Sequence, residues 1–412
     1  MSSLWHEMSE EPATARDASP AQVDVGIVGA GYSGLSAALH LAGHGTACHV
    51  FEAREIGHGA SGRNVGLVNA GLWTPPDAIA AKLGPDVAEG LIDALSAAPD
   101  LVFSLIERHQ IRCEATREGT LHAATDRSGA ADLRRRAADW QARDVPVRLL
   151  DQHEMTARTG SDRFCAGLFD PRAGTIAPAA YAHGLARAAR AAGATISTHM
   201  PVTKLDRCED GWRITTASGP TRARNVILAT DTYGGRLWPA LARCQTDLAY
   251  FQLASEPLGE RAAHVLPGGE GLWTTDKVMV SLRRDRAGRM ILGSMGRDLG
   301  ALTRRWGDRT LARLLPGLGR IRWESAWHGR IGMTPDKLPR ILHLAEGLYA
   351  PMGYSGRGIG PGTVFGKAIA DHIVNGTPPP VPLSRPEPGW WPLVEGPALT
   401  AALAAHKLLR AL

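Results

Sequence analysis

The sequence predicts an α/β fold plus antiparallel β, in which a Rossmann-like domain is assembled from discontinuous segments and a mainly antiparallel domain is inserted into it. Three observations carry this. Val25–Glu52 reads as strand, glycine turn, helix, strand and acid. Residues 246–295 are patterned as antiparallel strands. The apolar strand at 225–230 and the glycine-rich loop at 353–362 bring the chain back to the first unit.

In the opening unit, Val25, Ile27 and Val28 form the short apolar run of a buried parallel strand. Gly29-Ala30-Gly31-Tyr32-Ser33-Gly34 supplies G-x-G-x-x-G. The first glycine allows a tight turn, the second lets a pyrophosphate approach the backbone, and the third lets the helix pack on the strand. Leu35, Ala38, Leu39 and Leu41 give that helix an apolar face, and Gly43 and Gly45 end it. His49-Val50-Phe51 is the next strand, and Glu52 closes it 18 residues after Gly34, followed by Ala53 and Arg54. A carboxylate there accepts from both ribose hydroxyls of an adenosine. An acid in place of a basic residue argues against a 2′-phosphate, and so against NADP.

At 412 residues the chain suits two or three domains. Apolar residues make up 44% and charged residues 21%, as in a globular protein. The net charge of +5 is interspersed; it mildly favours anionic ligands and lacks the basic stripe of a nucleic-acid binder. Five cysteines without a C-x-x-C read as reduced thiols, and no metal site is read. There is no run of transmembrane length and no secretory h-region in the first twenty residues, so the expected location is cytoplasmic.

Along the chain, residues 1–22 read as an N-terminal arm that Leu4, Trp5 and Met8 could anchor. A glycine-rich loop follows at 57–66, too rich in glycine for a helix interior. Helices are expected at 78–110, 130–143, 178–192, 308–315, 363–374 and 398–411, the last packing on the body. Strands are expected at 111–125, 195–200, 320–327 and 340–342, with a meander over 202–225. The expected division is 23–76, 150–240 and 325–376 for the dinucleotide domain, 77–149 and 241–324 for the substrate domain, and 377–412 for a C-terminal tail and helix.

An NAD-linked dehydrogenase would continue β-α-β units after Glu52. This chain instead inserts a glycine loop, helices and antiparallel strands, and it carries no second G-x-G-x-x-G between strand and helix. The reading is therefore one bound FAD without a nicotinamide domain.

The fingerprint with Glu52, GASGRN at 59–64, ILAT at 227–230, GRIGMTPDKLPRI at 329–341 and GYSGRGI at 353–359 together resemble the D-amino acid oxidase family, which includes glycine oxidase and sarcosine oxidase. LWHE near the start and GASGRN resemble its gamma-glutamylputrescine oxidoreductase-like branch, although Val65 and Leu67 depart from that branch's G-G-Q continuation. The resemblance implies that Gly29, Gly31 and Gly34 hold the pyrophosphate at a helix N-terminus. It implies that Glu52, Ala53 and Arg54 meet the adenosine and that Val202 contacts adenine. Ala60, Ser61, Gly62, Arg63, Asn64, Gly66 and Leu67 would line pyrophosphate and flavin, with Ala229 and Thr230 at the sheet edge. Gly353, Gly356, Arg357, Gly358 and Ile359 would wrap the isoalloxazine, and a helix beginning near Gly362 would point at it. Gly329 falls near the place where sarcosine oxidase ties its flavin to cysteine, which implies noncovalent FAD here.

Such a flavin oxidises the C–N bond of a small-molecule amine or amino acid by accepting hydride, and oxygen or a quinone-linked carrier reoxidises it. No side-chain base is required. His328, Arg283 and Arg357 are the candidate catalytic groups, the arginines as carboxylate clamps together with Arg330. Tyr250, Gln252, Arg283 and Tyr354 are candidates for the substrate cavity, and Lys277 or Arg283 for the charge that promotes reaction with oxygen. The alternatives are a 2-hydroxy acid dehydrogenase, which uses the same hydride geometry, and a flavin-dependent protein acting on a macromolecule.

Overall fold

The computed structural model describes residues 3–12, 16–235 and 237–411. Its first sheet has the strand order Arg340–Ala345, Leu348–Met352, Gly219–Leu228, Gln22–Val28, Cys48–Phe51, Thr195–Ser197. The fingerprint strand lies between Gly219–Leu228 and Cys48–Phe51, parallel to both. Asn225 to Leu228 thus rejoin the sheet beside Val25 to Val28, as the apolar run predicts. Lys204–Cys208 and Gly211–Thr216 extend the long strand as the expected antiparallel meander. Helices Tyr32–Gly43, Pro178–Ala191 and Ile359–Asn375 pack around this sheet, and their apolar faces share one buried cluster with Val25, Ile27 and Ile227.

The second sheet runs Trp323–Met333, Thr246–Ser255, Met290–Met295, Val280–Arg284, Gly271–Thr274, Thr120–Ala124, Ala166–Asp170, Arg148–Asp151. All its pairings are antiparallel except Gly271–Thr274 with Thr120–Ala124. Two expected domain cuts fall inside this sheet. Arg148–Asp151 pairs with Ala166–Asp170, which in turn pairs with Thr120–Ala124, so a cut at 150 divides paired strands. Trp323–Met333 pairs with Thr246–Ser255 from Thr246↔Met333 to Ser255↔Trp323, so residues 325–333 belong with the antiparallel sheet.

Local chemistry also breaks the long helix expected at 78–110. It is three helices, Pro76–Leu83, Pro85–Ser96 and Ala98–Arg108. Gly84 has φ 77°, and Pro85 and Pro99 sit in first turns, where a missing N–H costs no helical bond. The helix expected at 308–315 starts at Ala301, and the one expected at 363 starts at Ile359. The C-terminal helix, Trp391–Ala411, packs on Ala301–Leu314 and Thr246–Ser255. No helix among the described residues is long and apolar enough to cross a membrane.

Candidate active site

One cavity of about 1910 Å³ runs from the glycine turn, past the loop at 353–359, to the inner face of the second sheet. At its first end the wall is mostly backbone. Gly29 has φ 105°, and its N–H donates to the Phe51 carbonyl at 2.8 Å. A Cβ on Gly34 would lie 2.0 Å from the Gly29 carbonyl oxygen, so the helix closes on the turn only because that atom is missing. Gly31 is the helix N-cap and makes no side-chain cap bond, which leaves the N-terminus of Tyr32–Gly43 facing the cavity. Glu52 accepts from the Ala30 and Arg54 N–H groups, each at 2.8 Å, and burial pushes its carboxyl up. Ala53, Arg54, Val202, Ala229 and Thr230 complete this end.

The loop after Gly57 is fastened from within. Asn64 Nδ2 donates to the carbonyls of Ala60 (3.0 Å) and Ser61 (3.1 Å), and the Gly66 N–H donates to its Oδ1 at 2.9 Å. The Tyr32 N–H donates to Ser61 Oγ at 3.1 Å, joining loop to fingerprint helix. Ala60, Ser61, Asn64 and Leu67 face the cavity. Opposite them, Tyr354, Gly356, Arg357, Gly358 and Ile359 line it, and the Tyr354 hydroxyl bonds Ser33 Oγ at 2.6 Å. Asp231, which sequence reasoning missed, accepts from the Gly353 N–H at 3.4 Å, and burial raises its carboxyl.

At the far end the wall is side chains. Tyr250 and Gln252 project from Thr246–Ser255; Trp273 and His122 line the cavity three and four strands along the same sheet, and Trp73 joins them. The guanidinium of Arg357 sits over Trp73 (5.0 Å) and Trp273 (4.7 Å) and donates to the Ala70 carbonyl at 2.9 Å. Burial lowers its pKa to about 9. His122 stacks on Trp273 at 3.3 Å between centroids, and burial holds its pKa well below the ordinary value, so the ring is neutral at pH 7. Three buried polar atoms here, Arg357 Nε, Gln252 Oε1 and Trp273 Nε1, have no protein partner. Buried polar groups are normally paired, so these point to a polar ligand.

Several expected site residues do not line the cavity. His328 is exposed: on Trp323–Met333 the alternation turns Trp327 inward, its Nε1 donating to the Arg63 carbonyl, and His328 outward. Arg283 is fully buried behind the wall, bonded to the Ile176 carbonyl and lying 5.1 Å over the Trp5 ring, so it clamps no carboxylate. Arg63 reaches the His328 carbonyl at 3.5 Å and His58 Nε2 at 3.4 Å. Gly34, Gly62, Gly66, Gly329 and Gly353 support the wall from behind. Gly329 is small because the Tyr250 ring lies on it; a Cβ would come within 2.5 Å of the hydroxyl oxygen. Arg330 lines the cavity but is ion-paired with Asp247 at 2.8 Å. Asp336, between the cavity-lining Pro335 and Lys337, pairs with Arg340 and accepts from the Leu338 N–H, which fixes the turn.

Residues 24–372 match the family model DAO, described as FAD dependent oxidoreductase. The chain belongs to this family. It is 30% identical over 378 residues to the probable oxidoreductase OrdL of Rhizobium meliloti, covering 89% of this chain and 87% of that one. It is 30% identical over 358 residues to the gamma-glutamylputrescine oxidoreductase of Escherichia coli, covering 84% and 83%. Among solved structures, glycine oxidase from Geobacillus kaustophilus superposes with a TM-score of 0.71 at 21% identity, covering 86% of this chain and 95% of that one. L-proline dehydrogenase from P. horikoshii gives 0.74 at 18% identity, covering 88% and 96%. Membership makes the protein an FAD-dependent oxidoreductase, and its residues fit that cofactor. The glycine turn and helix N-terminus suit the pyrophosphate, Glu52 the adenosine ribose, and the 353–359 loop the flavin.

Proposed function

We propose that the protein oxidises the C–N bond of a small amine or amino acid. The observation that carries this reading is the continuous cavity that joins the dinucleotide turn to an aromatic wall with unpaired polar atoms. Relatives named for a gamma-glutamylated amine and for glycine support the substrate class. FAD, when bound, would supply the two-electron acceptor for oxidation of the carbon bearing nitrogen. The chain's own task is to bind and orient. Arg357, desolvated against the Trp73 and Trp273 rings, which meet edge to face, offers a fixed cation for a carboxylate. Gln252 and Tyr250 meet the amine from the sheet, and the Trp73, Trp273 and His122 wall excludes water from the reacting carbon. The imine product hydrolyses in water, and oxygen or a quinone-linked carrier removes the electrons.

FAD is held noncovalently in this reading, since no cysteine lines the cavity. Acid-precipitated protein should turn white and leave the yellow colour in solution; colour that stays in the pellet sinks noncovalent binding. Five unpaired cysteines support a reducing, cytoplasmic location. The deciding experiment is an anaerobic screen that follows flavin absorbance near its visible maximum. Amines or amino acids should bleach it and 2-hydroxy acids should not. Bleaching by hydroxy acids alone would reverse the assignment.

A further inference from the structure

The C-terminal helix packs on the body through Gly396, Leu399, Leu403, Lys407 and Ala411. Glu395 accepts from Thr246 Oγ1 at 2.5 Å. Lys407 is buried, its Nζ donating to the Arg297 carbonyl and lying 3.6 Å over the Phe251 ring. The outward side is apolar. Within Trp391–Ala411 the exposed positions are Leu393, Val394, Pro397, Ala398, Ala401, Ala402, Ala405, Leu408 and Leu409, and no charged side chain is exposed before Arg410. Five of the seven exposed large hydrophobic residues of the described chain lie here: Trp390, Leu393, Val394, Leu408 and Leu409. A surface helix normally shows the opposite pattern, and a contiguous apolar patch of this kind marks an interface.

We infer that this face pairs antiparallel with the same helix of a second copy, about a two-fold axis at Ala401. Two features of the surface favour that occupant. Val394, Ala398, Ala401, Ala405 and Leu408 follow one another in steps of four, three, four and three residues, the spacing of a helix–helix seam. Side-chain size is symmetric about Ala401: alanines occupy the centre, Leu393 and Val394 one end, Leu408 and Leu409 the other. An antiparallel copy sets Leu393 against Leu409 and Val394 against Leu408, as an isologous interface requires. A lipid surface fits less well, because membrane-surface helices carry a row of basic side chains at the headgroups, whereas here Lys407 is buried and Arg410 is the one exposed base of the helix. The seam also borders the cavity, since Leu399, Ala402 and Leu403 line it from the same helix.

The test uses the FAD-loaded full chain in sedimentation velocity. Wild type should sediment as a dimer and A401E as a monomer with unchanged flavin content, because the introduced carboxylates meet at the axis in the dimer and face water in the monomer. Symmetric cross-linking provides a second readout that does not depend on A401E folding. Helix axes about 8–10 Å apart, with Cα atoms about 2.3 Å off each axis, leave facing Cα atoms within disulfide reach. A401C should therefore form an intermolecular disulfide under mild oxidation, whereas L409C should not. A monomeric wild type, a dimer that survives A401E, or cross-linking by L409C in place of A401C overturns the inference. So does a monomer that cosediments with anionic phosphatidylglycerol vesicles through this face.

Discussion

At the fingerprint end of the cavity the wall is backbone: a glycine turn, a helix N-terminus whose first N–H meets Ser61 Oγ, and a carboxylate held by two peptide N–H groups. At the sheet end it is side chains from four separate stretches, Trp73, His122, Tyr250 with Gln252, and Trp273, with Arg357 against the two indoles. Backbone geometry admits no extra atom, whereas side chains can trade contacts. The first end should therefore fail all at once when altered and the second by degrees. The largest effect expected is from Gly34→Ala. Its Cβ would stand 2.0 Å from a backbone oxygen, which no rotamer change relieves. Overpacking of this kind costs about 1–3 kcal/mol or more, and here it also displaces the helix N-terminus. The variant should purify without flavin, read as the ratio of visible to 280 nm absorbance.

Next in size is Arg357→Met, which removes the cation and keeps the bulk against the indoles. Flavin content should stay normal while kcat/KM for a carboxylate-bearing substrate falls about 100-fold, close to 2.7 kcal/mol. Arg357→Lys should recover little of this, since an ammonium stacks poorly against two rings. Equal loss of flavin in Arg357→Met would move this residue to the cofactor side of the comparison.

The same contrast decides what could be read from sequence. The fingerprint, the returning strand at 225–228 and the meander are local patterns in contiguous residues, and they were legible. Trp73, His122 and Trp273 carry no mutual spacing and meet only because Gly271–Thr274 lies beside Thr120–Ala124 in the sheet. Arg283 was misjudged because strand alternation gives its face but not what covers it, namely Trp5 from the N-terminal arm. His328 shares its strand face with Arg330, which does reach the cavity, so alternation gives the face without deciding which of the two lines the site.

A third effect tests the sheet beneath the fingerprint end. His49 is buried, bonded to Thr195 Oγ1 at 2.6 Å and Ser197 Oγ at 2.9 Å, and burial lowers its pKa to about 4. Between about pH 4 and the ordinary 6.5, the unfolded chain binds the proton and the folded one does not. Stability therefore falls as pH drops through that window, by up to about 3 kcal/mol. Denaturant titrations at pH 7 and 4.5 should show the loss in wild type and a flatter profile in His49→Gln.

The smallest effect is expected from Tyr250→Phe. The phenol makes one long bond, 3.4 Å to the Ala60 carbonyl, while the ring itself fills the space over Gly329. Removing the hydroxyl keeps the ring and should cost under about 1 kcal/mol of stability. If the hydroxyl orients the substrate amine, kcat/KM falls by less than about tenfold. Burial pushes the phenol well above its ordinary range, so it does not ionise between pH 6 and 10 and transfers no proton there. The pH profiles of wild type and Tyr250→Phe should then share one shape and differ only in height. A basic limb that moves in the variant would make Tyr250 a proton-transfer group, and the sheet end would then hold a discrete acid–base residue in place of a graded orienting surface.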